Sequence, residues 1–433
     1  MVPSTAYCLL PTAYCKKIAV FRALYLGDLL LAVPALRALR AGFPEAEITL
    51  IGLPWAASFA RRFCRYVDRF VEFGGYPGID EVPIDPGRSA HFVEEQRAYG
   101  YDLVVQMQGS GRTSNPCALA LGGRMTAGYY EGEPPPGLTF GAPYPDNQPE
   151  VLRNVGLISL LGCPHRGLEL EFPLFARDHA EAAALLRRLP RPGHVPETCD
   201  LGDDASGTPR QAGRPLIGIH AGAHAPARRW PAERFAVVAD HLAQRFGAQI
   251  VLTGGPGEEE VAQAVAAGTP CGGAAAPPPP RQGVGEQCPQ GTMRAGRAAP
   301  VLNVAGQTSL GGLAALIDRL DLFIANDTGP AHLADALGTP SVTIFGPADH
   351  RRWAPLDQTR HSIVRRPVPC SPCRYTVCPI DHRCLYWVEP DAVIAAAERL
   401  LVMGVTACRA PRGCWTGAEV PVQQCTGGAQ CGA

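Results

Sequence analysis

Residues 322–345 constrain the fold more than any other part of this chain. The apolar run 322–325 is short enough for a buried parallel strand, and Asn326, Asp327, Thr328 and Gly329 supply turn chemistry. Pro330 suits a first helical position, a helix is predicted over 331–337, Gly338 is a natural stop, and 341–345 starts the next strand. A strand, tight turn and helix start in that order turn free N–H groups and the positive end of the helix dipole toward Asp327, Thr328 and Gly329, which suits a phosphate. His332, one turn in, is predicted to point at the same ligand. The competing reading is an ordinary α/β turn in which Asp327 or Thr328 only caps the helix.

A second unit of this kind stands near the amino terminus. Residues 17–23 read as a strand with a basic start, 25–28 as a turn, 29–41 as a helix ending at Gly42, and 47–51 as the next strand. This βαβ pattern puts Gly27 and Asp28 at the carboxyl end of its first strand, where ligands bind in open parallel sheets. A carboxylate there is a candidate base. The alternative is that Asp28 merely caps the following helix.

At 433 residues the chain is long enough for two α/β domains with loose segments. Its net charge of −1 offers no global attraction to nucleic acid, so none is expected as a partner. No apolar run reaches the roughly 20 residues needed to cross a bilayer, and the first 16 residues lack a signal-peptide order, so a cytoplasmic location is expected. Sixteen cysteines in such a chain are expected to be reduced, metal-bound or incidental rather than paired.

The alternation of strand and helix signals divides the chain. Residues 1–16 are an extension, 17–190 a first Rossmann-like domain, and 191–214 a linker rich in Pro, Gly and small residues. Residues 215–403 form a second Rossmann-like domain, interrupted at 268–299 by a Pro-, Gly- and Ala-rich insertion expected to be disordered. Residues 404–433 read as a flexible tail.

Five short motifs share one resemblance. They are Leu26, Gly27 and Asp28; Gln106 to Arg112; His220, Ala221, Gly222 and Ala223; Arg228, Arg229, Trp230 and Pro231; and Asn326 to His332. In order and spacing they resemble the glycosyltransferase family of bacterial lipopolysaccharide heptosyltransferases, over residues 17 to about 403. The resemblance implies an α/β fold of the GT-B type, two facing Rossmann-like domains with parallel sheets and a cleft between them. The first domain would hold the acceptor and the second the nucleotide sugar. It further implies inverting transfer of heptose from ADP-heptose to the inner core of a lipid A-linked saccharide, with peripheral contact at the cytoplasmic face of the inner membrane.

Such chemistry assigns roles. Asp28 is the candidate base for the acceptor hydroxyl. The leaving diphosphate needs preorganised donors, for which Arg228 or Arg229 and the helix start at Asp327, Thr328, Gly329, Pro330 and His332 are the candidates, Arg228 being preferred. Where some members of the family carry hydroxyl residues after the strand at 215–220, this chain has Ala221, Gly222 and Ala223, so donor contact at Gly222 would rest on backbone N–H groups. Glu258 is a candidate for the ribose hydroxyls, or simply an acid matched to a helix dipole. Arg61, Arg62 and Arg112 are candidates for acceptor anions, solvated surface arginines being the alternative. The chain contains no Asp-x-Asp pair, so a metal-independent mechanism without a required cofactor is expected.

Cys370, Cys373, Cys378 and Cys384, with His382 among them, form the last motif. Four thiols in so short a loop suit a structural zinc; thiols packed without a metal are the other reading. Two wider alternatives remain open from sequence. One is a transferase or epimerase acting on another nucleotide sugar in bacterial glycan synthesis, and the other a non-catalytic, zinc-stabilised binding protein of the same fold.

Overall fold

The computed structural model describes residues 15–189, 214–268, 301–402 and 423–425. The chain divides into two compact units, the first ending at Pro173 and the second beginning at Leu174. In chain order the first carries β1 (Lys17–Phe21), α1 (Leu26–Leu30), α2 (Val33–Gly42), β2 (Glu47–Gly52), α3 (Ala56–Arg62), β3 (Arg69–Glu72), α4 (Pro86–Tyr99), β4 (Leu103–Gln106), α5 (Ser114–Ala120), β5 (Met125–Tyr130), β6 (Phe140–Pro143) and α6 (Glu150–Ser159). The second carries α7 (Ala176–Leu186), β7 (Leu216–His220), α8 (Ala232–Phe246), β8 (Gln249–Thr253), α9 (Glu259–Ala267), β9 (Val301–Asn303), α10 (Leu310–Asp318), β10 (Leu322–Asn326), α11 (Gly329–Leu337), β11 (Ser341–Phe345), α12 (His350–Trp353), β12 (His361–Arg365), α13 (Arg383–Tyr386) and α14 (Pro390–Val402). A short β13 (Gln423–Cys425) follows and returns to the first unit.

Both sheets are parallel throughout. The first runs β13-β3-β2-β1-β4-β5-β6 and the second β12-β11-β10-β7-β8-β9. In the first, the chain leaves β1 toward β2 and β3, then returns to the other side of β1 with β4, β5 and β6. That reversal makes the β1/β4 boundary, where Phe21 pairs with Gln106, the topological switch point. In the second the same reversal falls between β7 and β10, where Ala325 stands beside His220. Ligands of open parallel sheets bind beyond the carboxyl ends of the strands at such points.

The strands are apolar on both faces because helices cover both. Ile18, Ala19, Val20 and Phe21 of β1 are buried, as are Leu322, Phe323, Ile324 and Ala325 of β10. The α8 helix turns Phe235, Val238, Ala239 and Leu242 onto the second sheet, each large one contributing about 2 kcal/mol of burial. Gly338 ends α11 at φ 60°, a left-handed cap that leads the chain into β11.

The domain boundary differs from the sequence expectation. A first domain running to 190, as the linker composition predicts, includes helix α7, yet α7 belongs with the second unit. Its Ala182 and Leu185 are buried with Val251, Leu302 and Leu316. Glu181 accepts hydrogen bonds from the Ser309 backbone N–H (2.7 Å) and hydroxyl (2.6 Å). The expected linker at 191–214, bar Arg214, and the insertion at 268–299, bar Gly268, lie outside the described residues, as do residues 1–14 of the extension and most of the expected tail. Within that tail, β13 pairs with β3 as a strand, Gln424 beside Phe70. Among the described residues no helix is long and apolar enough to cross a membrane.

Candidate active site

In the first unit the switch point is built around a buried cation. Arg22, the residue after β1, is 1% exposed. Its Nη2 lies 3.1 Å from Glu150 Oε1, and Glu150 in turn meets Arg153 Nη1 at 3.1 Å. A buried charge is tolerable when paired and hydrogen-bonded in this way. Arg22 Nε also donates to the backbone carbonyl of Asp28 at 2.9 Å, and Nη2 stands 3.9 Å from Asp28 Oδ1. The guanidinium thus fixes the main chain of α1 and lies beside the candidate base.

The expected cap at Asp28 is not what the structure contains. Helix α1 begins at Leu26 with Tyr25 as its N-cap, so Asp28 lies within the first turn, where an acid is favoured by the helix dipole. The predicted helix 29–41 is in fact two, α1 and α2, because Pro34 near the start of α2 has no N–H to continue a ladder. Glu81 is a further acid near this point. Burial foremost, and then the charges of Asp28 and Asp80, push its carboxyl above its ordinary value.

The arginines proposed for the acceptor are placed differently from one another. Arg62 is buried, donates to the Pro173 carbonyl at 2.7 Å and lies over the Phe172 ring at 4.7 Å. It closes the end of the first unit, a packing role that favours Arg61 and Arg112 over Arg62 for the acceptor. Arg61, one position earlier on α3, is half-buried, and Arg112 is exposed on the loop beyond β4.

In the second unit the loop after β7 and the loop after β10 are stitched together by Asn326. Its Oδ1 accepts from the Trp230 backbone N–H at 3.0 Å, and its Nδ2 donates to Ala221 O at 2.9 Å and Gly222 O at 3.3 Å. Trp230 is 1% exposed and its indole N–H donates to Val388 O at 3.0 Å, which anchors the far end of the loop. Asp327 and His332 are buried, and Arg228 Nη1 lies 3.4 Å from Asp327 Oδ2.

Thr328 is the N-cap of α11 but makes no capping side-chain bond; its hydroxyl donates to Asn326 O at 3.3 Å, and Pro330 follows in the first turn. The Thr328 side chain thus leaves the helix start uncapped, an arrangement suited to an anion. His332 Nδ1 is buried and makes no hydrogen bond among the described residues. Burial, aided by the Arg228 charge, lowers His332 to about 4, so the imidazole is neutral at neutral pH.

The two neighbouring arginines are separated by geometry. Arg229 Nε donates to Ala223 O at 2.8 Å and holds the loop's own backbone, whereas the Arg228 side chain is 42% exposed beside Asp327. Glu258 precedes α9, accepts from the Gly255 N–H at 2.7 Å and lies 3.4 Å from His220 Nε2. Its carboxylate packs so closely on Gly222 that a Cβ there would collide with it. His220 and Asn326 in the second unit, which the sequence places in motifs without a site role of their own, and Arg22 in the first unit, outside those motifs, are further polar residues at the two switch points. The available signal was motif membership for His220 and Asn326 and position for Arg22: each stands at or just beyond the end of a strand at a switch point. His220 Nδ1 is 3.1 Å from Thr253 Oγ1, and burial lowers its proton affinity against the opposing pull of Glu258.

The cysteine loop does not have the arrangement expected for zinc. Cys370 is exposed, Cys373 and Cys378 are half-buried and Cys384 is buried, its thiol pushed up to about 12 mainly by burial. Among the described residues no group of three or more His, Cys, Asp or Glu side chains is placed to hold a metal ion. His382, a nominal ligand in the sequence motif, instead sets its Nε2 2.6 Å from the carbonyl of Ala227.

The profile of glycosyltransferase family 9 (heptosyltransferase) matches residues 90–276 and 286–383, well over half of the chain. The chain belongs to this family. Its fold is accordingly of the GT-B type, and solved structures agree. A glycosyltransferase family 9 protein from Veillonella parvula superposes with a TM-score of 0.63 at 21% identity, covering 90% of this chain and 97% of that one. The E. coli ADP-heptose lps heptosyltransferase II gives 0.59 at 19%, covering 90% and 99%. Among curated relatives, lipooligosaccharide heptosyltransferase 2 of Campylobacter jejuni is 28% identical over 44% of this chain and 52% of its own length. Lipopolysaccharide heptosyltransferase 3 of E. coli K12 is 30% identical over 40% of this chain and 42% of its own. This family 9 chain thus spans about half the length of those two relatives, whereas lipopolysaccharide heptosyltransferase 2 of E. coli K12, at 24% identity, matches over 80% of the chain and 87% of its own length.

A pH titration follows from the His332 environment. Its folded proton affinity lies below the unfolded value of 6.5, so its contribution to stability is present above about pH 6.5 and fades as pH falls toward 4. Ring resonances of His332 followed by NMR in the unliganded protein should titrate near 4. A midpoint above about 6, the ordinary range for histidine, would contradict this burial.

Proposed function

We propose that the protein is an inverting glycosyltransferase that moves heptose from ADP-heptose to the inner core of lipopolysaccharide without a metal. The observation that carries the reading is the cluster of Arg228, Asp327, an α11 start uncapped by Thr328 and a His332 Nδ1 without a hydrogen bond among the described residues, at the second unit's switch point. A diphosphate would add a second anion beside the part-exposed Arg228 guanidinium, which already has Asp327 on one side, and acceptor oxygens for the N–H groups of the helix start. Family membership supports the same donor. The E. coli heptosyltransferase WaaC with ADP superposes at a TM-score of 0.57, and the relatives named above are lipopolysaccharide or lipooligosaccharide heptosyltransferases.

In this reading the acceptor hydroxyl oxygen attacks the anomeric carbon as the carbon–oxygen bond to the diphosphate breaks. Asp28 takes the hydroxyl proton, Arg22 holds the backbone that carries Asp28, and inversion follows from attack opposite the leaving group. Arg228 and the α11 start stabilise the charge that grows on departing ADP. Glu258 accepts ribose hydroxyls, and Gly222 lets the loop lie close against it. Arg61 and Arg112 are retained as acceptor contacts. Lipid A-linked core saccharide as acceptor places the protein in the cytoplasm, working at the inner membrane surface.

Thermal stabilisation by a panel of nucleotide sugars tests the donor half, because a ligand that binds only the folded state raises its stability. ADP-heptose should give the largest shift. A larger shift with a uridine or guanosine sugar would remove ADP-heptose from the account.

A further inference from the structure

Ala227, the residue before Arg228, has both of its backbone groups committed to the cysteine-rich loop. Its N–H donates to Thr376 O at 2.9 Å, and its carbonyl lies 2.6 Å from His382 Nε2. A carbonyl only accepts, so the His382 proton sits on Nε2. The ring is packed edge-on against Tyr386 at 5.3 Å. Ala227 is itself 2% exposed, where unpaired backbone groups would be costly.

His382 holds an uncommon backbone to do this. With φ 56° and ψ 28° it is left-handed, the one non-glycine residue with positive φ among the described residues. Such a conformation persists when its surroundings over-determine it, and it clusters at functional sites. The loop that carries it is tied down separately: Cys373 N–H donates to Pro347 O at 2.8 Å and Ser371 Oγ to Gly346 O at 3.0 Å. Leu385, just beyond, is fully buried.

We propose that His382 is a positioning residue for Arg228, and that the Cys370–Cys384 loop is a clamp fixing the turn from which Arg228 reaches the donor diphosphate. An arginine side chain has much rotational freedom to lose on binding, and a fixed backbone origin reduces what remains to be ordered. Arg229 holds the same turn from the other side through Ala223 O. The inference rests on the reading of Arg228 as a diphosphate contact, and its test keeps the two apart.

ADP is the probe, with affinity measured by calorimetry for wild type, Arg228→Ala, His382→Gly and the double variant, each below its melting temperature. Glycine accepts the left-handed backbone and removes only the imidazole. His382→Gly should weaken ADP about fivefold in the wild-type background, the scale of one hydrogen bond, and less than about twofold when Arg228 is already alanine. His382→Gln, which keeps an N–H at similar reach, should recover most of the loss. An equal loss in both backgrounds, or none in wild type, overturns the positioning role. Failure of wild type to bind ADP sinks the donor reading instead, and hydrogen exchange then decides the clamp without nucleotide. In the unliganded wild-type protein the Ala227 amide should be protected together with that of Cys373; free exchange at Ala227 while Cys373 stays protected overturns the clamp.

Discussion

Asp28→Asn should lower heptose transfer by about 10²-fold or more, the scale of general base catalysis, while ADP affinity and melting temperature stay near wild type. The structure separates this outcome from a stability effect. Asp28 is not the N-cap of α1, and the bond from Arg22 Nε goes to its backbone carbonyl, which the substitution keeps. What is lost is one first-turn charge, worth about 0.3–1 kcal/mol, and the long 3.9 Å pairing with Arg22, which keeps Glu150 as its closer partner at 3.1 Å. The amide has no proton affinity near neutral pH, so a base at this position cannot survive the change. A variant that transfers at near the original rate would remove Asp28 from the mechanism.

Arg228→Ala should reduce kcat/KM for the donor by about 10–100-fold, because a cation at the diphosphate acts more strongly as charge develops on the leaving group. Part of the loss should fall on kcat. The substitution has a second readout within the same cluster. The Arg228 charge is one of two causes that depress His332, so its removal should raise the His332 midpoint above about 4 while burial keeps it below the ordinary 6.5. Unchanged kinetics with an unmoved His332 would mean that the guanidinium points elsewhere in solution, and Arg229 would then be the residue to test.

Much of the fold was legible because its signals are local. Strand β11 has the bounds that its apolar run predicts, and Gly338 stops α11 where a left-handed residue is needed. The split of α1 from α2 was hidden, since the apolar pattern runs through Leu31 and Ala32 and only Pro34 marks the break. The placement of α7 was hidden too: linker composition suggested a late boundary, but the partner that buries Ala182 and Leu185 lies on α10, far along the chain. For the site, a residue's type and strand-end position pointed to Asp28, Asp327 and His332. Pairings were beyond reach. Arg22 meets Glu150 across 128 positions, Trp230 meets Asn326 across 96, and His382 meets Ala227 across 155. Sequence spacing carries no information on such contacts; only the sheet order brings them together. The same blindness made four cysteines and a histidine resemble a zinc site, when the histidine is spent on a carbonyl.

The central claim is transfer of heptose from ADP-heptose to a lipid A-linked core saccharide by this chain's own residues. Purified protein incubated with ADP-heptose and heptose-free inner-core acceptor, with no added divalent metal and a chelator present, tests it most directly. The account predicts stoichiometric release of ADP and a product one heptose heavier, with the anomeric configuration inverted, and loss of both signals with Asp28→Asn. Intact ADP-heptose after prolonged incubation, while another nucleotide sugar is consumed in its place, would contradict it.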